Sequence, residues 1–441
     1  MDDPHGGPSL KSLVVFWLPL AFMWLVMGVE LPIISAVVAR LPDPTLSLAA
    51  FEVAMAVAML LQSPVIHMLS AATAVARGIG SFSHLSVLLG RLVAALTGLH
   101  VIASIPPVFR FVALDLLNVP PEVAPAANVT LALMIPVSAG VGYRRLYQGA
   151  MIRAGMTKEV SLVMVVRLAV TVAILIAALR LPEGSRVPGY AVAAAAFTAG
   201  IVAGGLAAWF LFRTRVLPTL ARSETDVWSL RRMAGFYLPL ALTSVIVMTS
   251  RPLLAFAIGR AHDPLTSLAA WPVVQGYLFM FTAVAHSFQE VAIAHARPER
   301  HELVPAARRL ALLIGTILVV GFLVTWTTGI TSWWYGTVVG VSEQIRIRAL
   351  DATILLAPLM AIGVVNSINS GMLVGRKATR LITLATLANV VVQVTMAIAV
   401  PAVVEVDGAR LAATILVASA SAQAVVLVSG TRTIARRSRS L

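Results

Sequence analysis

Apolar residues in this chain come in long unbroken stretches, and polar residues come in short clusters between them. Twelve apolar stretches can be marked, near 13–39, 46–74, 84–106, 124–147, 159–181, 188–212, 234–259, 267–294, 308–330, 346–373, 380–401 and 409–430. A bilayer-crossing helix needs roughly 20 mostly apolar residues, and each stretch supplies that length. Backbone N–H and C=O groups in lipid must be paired within the segment, so the stretches are expected to be α-helices. They are too long and too evenly apolar for the strands of a membrane barrel. The predicted fold class is an all-α integral membrane protein with 12 transmembrane helices.

The chain also repeats itself. FWLPLA from Phe16 returns as FYLPLAL from Phe236, and Pro19, Pro32, Arg40, Asp43 and Pro44 recur 220 residues later as Pro239, Pro252, Arg260, Asp263 and Pro264. Pro136, Gly149 and Thr157 recur as Pro358, Gly371 and Thr379 at an offset of 222, and VPGYAVAAA at Val187 matches VDGARLAAT at Val406 at 219. Each half then holds six spans. Six is even, so both halves enter the membrane the same way, as parallel repeats about an axis along the membrane normal. The expected division is a six-helix bundle over 1–212, a cytoplasmic linker over 213–233, a second six-helix bundle over 234–431 and a basic tail over 432–441. Within the linker, Ser223-Glu224-Thr225-Asp226 has capping-box spacing and introduces a short helix expected to lie on the membrane surface.

Composition agrees with lipid as the main solvent. The chain is 59% hydrophobic and only 12% charged, where a soluble domain carries about a quarter charged residues. With no Cys, disulfides and thiolate metal sites are excluded. The net charge of +14 invites a nucleic-acid partner, but the basic residues sit in clusters between spans, the pattern that sets membrane topology. Of 33 Lys and Arg, 23 fall on one side and 8 on the other, which makes the first side cytoplasmic and puts both termini there. The polar N-terminus lacks a secretory signal pattern, so the first apolar stretch is expected to remain as a helix. The expected setting is the cell membrane, and the expected partners are the bilayer and a small solute, with no nucleic acid and a monomeric chain.

The FWLPLA…P and FYLPLAL…SRP motifs, with the six-plus-six plan, resemble the multidrug/oligosaccharidyl-lipid/polysaccharide flippase superfamily, which contains the multidrug and toxin extrusion (MATE) transporters. Met233–Arg260 and Pro401–Ile415 are most similar to the progressive ankylosis (ANK) proteins. The resemblance implies a MATE-like, V-shaped pair of bundles that exports a solute. It further implies small organic or phosphate anions as in ANK proteins, or organic cations with Na⁺ or H⁺ coupling as in MATE proteins. After Glu30 the first helix reads Pro32-Ile33-Ile34-Ser35, where MATE-type helices often carry an acid.

Polar residues inside spans are costly and mark pathways or pairs. Arg251 and Glu30, at nearly repeat-related places, are candidates for anion binding or a gating ion pair, against a static pair or snorkelling side chains. Arg167, nine residues past Lys158, reads either as a pathway residue or as a side chain snorkelling to the inner face. Glu52 and Asp351 read as interfacial. His67 and His286, 219 apart, are candidate proton carriers because His titrates near neutral pH, against the reading of rings packed on backbone carbonyls. Gln289 and Glu290 add a polar lining beside His286. Asn366 and Asn369 share a helical face and either line a cleft or bond between helices. Pro19, Pro32, Pro136, Pro239, Pro252 and Pro358 form three repeat-related pairs of candidate hinges. Gly200 and Gly204 make a packing GxxxG.

No Walker motif, HExxH or acid cluster is present, so ATP hydrolysis and zinc hydrolysis find no residues here, and neither a metal nor a cofactor is expected apart from a coupling Na⁺ or H⁺. The expected function is a secondary-active exporter of a small solute, with an anion favoured through Arg251. MATE-type cation efflux, a flippase for lipid-linked saccharide and a membrane-embedded enzyme are the alternatives.

Overall fold

The computed structural model describes residues 10–154, 156–180, 187–220, 227–297, 302–303, 305–375 and 379–439. The twelve expected spans are helical, and we number them α1–α12, counting a broken helix as one. They are α1 (Leu10–Gly28 and Glu30–Val38), α2 (Pro44–Gln62 and Met68–Val75), α3 (Ile79–Ala103), α4 (Val123–Leu133 and Val137–Arg153), α5 (Thr157–Leu179) and α6 (Gly189–Leu211). The second six are α7 (Leu230–Met248 and Ser250–Gly259), α8 (Pro264–His295), α9 (Pro305–Thr327), α10 (Glu343–Leu355 and Pro358–Gly375), α11 (Thr379–Val403) and α12 (Gly408–Arg439). Among the described residues ten of these helices are long and apolar enough to cross a membrane, and α10, bent 49° at its break, makes an eleventh. The remaining one is α1. One two-stranded ribbon, Ala296–Arg297 with Glu302–Leu303, follows α8.

The repeat is written into the backbone. Asp43 and Asp263 both adopt φ 49° immediately before Pro44 and Pro264, which open α2 and α8. Four of the six candidate hinge prolines stand at helix breaks. Pro32 and Pro252 have no N–H to give the fourth residue back, and the helices break three residues upstream, at Val29 and Thr249. Before Pro136 and Pro358 the last turn tightens: Met134 N–H bonds Leu131 O and Ile135 bonds Ala132, while Leu356 bonds Thr353 and Ala357 bonds Ile354. Pro239 lies inside an unbroken helix, and the helix that contains Pro19 is unbroken too. One further break, at Ser63–Val65 in α2, comes from Pro64; α8 has Ala283 at that register and stays continuous.

Two expectations on helix ends are corrected. The linker contains no separate surface helix among its described residues: α6 runs on through Phe212–Val216 and Leu217–Thr219, and the next helix, begun by the Ser229 hydroxyl on Arg232 N, is α7 itself. The capping-box residues 223–226 lie outside the described residues. The basic tail is not separate either, because α12 continues to Arg439 with no Gly or Pro beyond Gly430 to stop it.

Packing also cuts the chain differently from the repeat. One compact unit is Met1–Ala36 with Arg260–Leu441, and the other is Val37–Gly259. Thus α1 belongs with α8–α12, and α7 with α2–α6. The reason lies in small residues and specific polar contacts. Facing α8, α1 comes so close that a Cβ on Gly276 would lie 3.0 Å from Pro32 Cδ, and Trp17 donates from Nε1 to Ser287 Oγ at 2.8 Å. In the other unit, Tyr237 of α7 donates to Pro64 O in the broken turn of α2 at 2.6 Å, and a Gly259 Cβ would meet the carbonyls of Leu117 and Asn118 at 2.5 Å. The core of the 37–259 unit centres on α2, buried from Ser47 to Ala58; its repeat mate α8 is buried over Ser267–Val274.

Candidate functional site

In the unit that holds α8–α12, a polar pocket of about 350 Å³ opens among α8, α10, α11 and α12. His286 and Asn366 line it, joined by Asn389, Ser419 and Gln423. His286 ends the helical turn that begins at Thr282, and its Nδ1 lies 2.6 Å from the Thr282 carbonyl. A carbonyl can only accept, so Nδ1 carries the hydrogen and Nε2 of the neutral ring keeps its lone pair for a proton or a donor. The ring stacks on Trp24 of α1 at 5.8 Å, with 25° between the planes.

The opposite wall is an amide chain. Gln393 Nε2 donates to Asn389 Oδ1 (2.9 Å) and Asn389 Nδ2 donates to Gln423 Oε1 (3.1 Å). Asn366 donates to Ala420 O at 3.3 Å, while its own Oδ1 is buried without a hydrogen-bond partner and remains an acceptor for a ligand. Among the described side chains that line this pocket none is a carboxylate. Its chemistry is that of neutral donors and acceptors with one titratable ring.

The other predicted residues are placed as follows. Asn369 is buried and bonded, donating to Val365 O and accepting from Thr431 at 2.8 Å, so it joins α10 to α12 and does not line the pocket. Gln289 and Glu290 lie on α8, but their side chains fall outside the described residues. Glu30 is 7% exposed at the start of the second part of α1. Arg251 pairs at 3.8 Å with Glu52 of α2, within the 37–259 unit, where the sequence had pointed to Glu30 as partner. Glu52, expected at the interface, is 2% exposed. Asp351 pairs with Arg410 at 2.5 Å. Arg167 is buried, with its guanidinium 5.8 Å over the Phe197 ring. Gly200 and Gly204 produce this: their missing side chains let α6 close onto α5, where a Gly200 Cβ would lie 2.0 Å from Thr171 Oγ1. His67 sits in the α2 break and does not occupy a helix interior as His286 does.

Sequence reasoning missed Arg144 and Arg145, which it had counted as inner-side topology charges. Arg144 is 5% exposed and donates to Met164 Sδ of α5 at 2.9 Å. The signal available was the helix itself: α4 runs to Arg153, eight residues beyond Arg145 or about 12 Å at 1.5 Å per residue. That places the pair well inside the span.

A model of the MatE family matches residues 19–177. A search of characterised proteins by sequence finds no significant match. Among solved structures, an inward-facing multidrug resistance MATE family transporter of the MOP superfamily is similar at TM-score 0.68 and 14% identity, over 97% of this chain and 99% of that one. The fold is that of the MATE transporters. This MATE-like fold extends to the lipid II flippase MurJ in an inward closed conformation, at TM-score 0.74 and 10% identity over 95% of this chain and 87% of MurJ. A MOP superfamily transporter from Pyrococcus furiosus, described as having a binding pocket of reverse polarity, is similar at TM-score 0.63 and 15% identity over 98% and 97%. These proteins are transporters, and the chain shares their multi-pass helical architecture.

Proposed function

We propose that the chain is a secondary-active membrane transporter that exports a small solute by alternating access. The observation that carries this reading is a polar pocket of about 350 Å³ inside an otherwise apolar bundle, in a chain whose two halves repeat down to the hydrogen bonds of their helix breaks. Parallel repeats with interrupted helices are the architecture that lets a membrane protein expose one site to either side in turn. The likeness to MATE transporters and to MurJ supports the same class.

For the substrate we infer a small organic or phosphate anion. The buried arginines of the 37–259 unit and the resemblance to ANK proteins favour it. His286 is the candidate carrier for H⁺ coupling, with Na⁺ as the alternative. The setting we infer is the cell membrane, with a monomeric chain and both termini cytoplasmic. Uptake into everted vesicles tests the reading, using citrate, pyrophosphate, nucleotides and a cationic dye while pH and Na⁺ gradients are varied independently. Accumulation of an anion driven by one gradient and weakened by His286→Gln is the expected result. Accumulation of the dye alone would establish the cation reading, and no flux of any of them would defeat both.

A further inference from the structure

A second cavity, almost wholly apolar and of about 510 Å³, lies between α4 and α6 in the 37–259 unit. Its floor is backbone: Gly140 and Gly205 line it where the helices meet, and a Cβ on Gly205 would lie 3.2 Å from Gly140 O. Its walls are large side chains, Tyr143 and Tyr147 from α4 and Leu206 and Trp209 from α6. Gly140, Tyr143 and Tyr147 are three and four residues apart, and Gly205 and Trp209 four, so each helix turns one stripe to the trough. The duplication does not reproduce it. At the offsets of 222 for α4 and 219 for α6, Ile362 and Ala424 stand where the glycines do, and Val365 and Val428 replace Tyr143 and Trp209.

Leu206 and Trp209 are exposed on a helix apolar enough to cross a membrane, so the trough opens toward lipid. From Pro136, at the break in α4, to Tyr147 it runs about 16 Å at 1.5 Å per residue. That is about the hydrocarbon depth of one leaflet, half of roughly 30 Å. One end of the trough is cationic. The helix continues past it to Arg213, whose guanidinium lies 5.7 Å from the centre of the Trp209 ring. Arg213 is exposed, and the described residues give it no acidic partner, whereas Arg215 pairs with Glu159 at 2.7 Å. The same order of chemistry belongs to a membrane lipid: an acyl chain, then an interface where Trp and Tyr rings sit, then a charged headgroup. Lipid tails are already in an apolar solvent, so a chain gains little by entering the trough alone. Selection therefore falls to the headgroup, and an unpaired Arg held on an indole face selects negative charge.

We propose that the trough between α4 and α6 holds an acyl chain of an anionic glycerophospholipid, with the lipid phosphate on Arg213. The site uses no residue of the polar pocket and stands independently of which solute is transported.

The test places the full chain in nanodiscs of equal parts phosphatidylglycerol and phosphatidylcholine and counts, by native mass spectrometry, the lipid that stays bound after release. Retained phosphatidylglycerol is expected in preference to phosphatidylcholine. Arg213→Gln should lower that preference about fivefold, the contribution of one basic residue near a membrane surface. Arg309→Gln, an exposed change near the start of α9, should keep the parent's preference; an equal fall would reduce the effect to general surface charge and overturn the site. Val202→Trp fills the trough from α6, leaves Arg213 in place and should abolish retention of the lipid. Should Val202→Trp not fold, Ala139→Leu narrows the trough from α4, and a several-fold fall in retention is expected. Retention indifferent to Arg213→Gln or to filling of the trough overturns the proposal. So does a parent that emerges as a dimer and becomes monomeric when the trough is filled, which would assign the trough to a second copy of the chain.

Discussion

Arg251 and Glu52 offer the sharpest test of how this fold tolerates charge. Their N–O distance is 3.8 Å, and the side chains are 23% and 3% exposed. At an effective dielectric of about 20 that separation corresponds to an attraction of about 4 kcal/mol. The two partners are not equivalent. In Arg251→Ala the Glu52 carboxylate stays in the core of the 37–259 unit with its other contacts in place, so the cost reaches at most about 3–5 kcal/mol, that of breaking a buried pair. The loss has a ceiling, because protonating an ordinary Glu at pH 7 costs about 4 kcal/mol and would discharge the strain. In Glu52→Gln the remaining guanidinium, 23% exposed, is free to shift and keeps an amide oxygen beside it, so the cost falls to about 1–2 kcal/mol. Thermal unfolding followed by size-exclusion fluorescence in detergent should rank the parent first, then Glu52→Gln, then Arg251→Ala. The double variant should regain much of what Arg251→Ala loses. Equal losses in the two single variants, or no recovery in the double, would refute the burial argument and the pairing with it.

Two further predictions concern packing and capping. Gly149→Ala places a Cβ 2.4 Å from Leu69 O and 2.6 Å from Ala72 Cβ, against backbone that cannot give way, so folded yield and melting temperature should drop by the equivalent of about 1–3 kcal/mol. Asp407 accepts from Ala409 N (3.0 Å) and Arg410 N (3.2 Å) at the start of α12 and pairs with Arg348 at 2.7 Å. Asp407→Ala should therefore lower the melting temperature by the equivalent of about 1–2 kcal/mol, and Asp407→Asn by less, because the amide oxygen still caps the helix.

Local rules made much of the architecture readable. Hydropathy over twenty residues marks a span wherever it lies in the fold, and a proline removes its own N–H whatever surrounds it; Pro32, Pro252, Pro136 and Pro358 accordingly stand at the breaks. The duplication was legible because both copies keep the turn residues Asp43-Pro44 and Asp263-Pro264, and the MATE-like fold followed from the same motifs. Pro239 shows the limit of this rule, since α7 passes through it without a break.

Sequence alone therefore determined the spans, the repeat and the fold class, because each depends on the chain's own near neighbours. Tertiary structure alone decided which helix keeps company with which, and so which polar atoms meet. It moved α1 into the unit of α8–α12 and α7 into that of α2–α6, gave Arg251 to Glu52, and drew Asn366, Asn389 and Gln423 from three helices around one pocket. It also turned Arg144 inward, because Gly204 leaves no side chain to keep α4 and α5 from closing on α6. Such meetings depend on the rotation and closeness of helices far apart in sequence, which hydropathy does not encode.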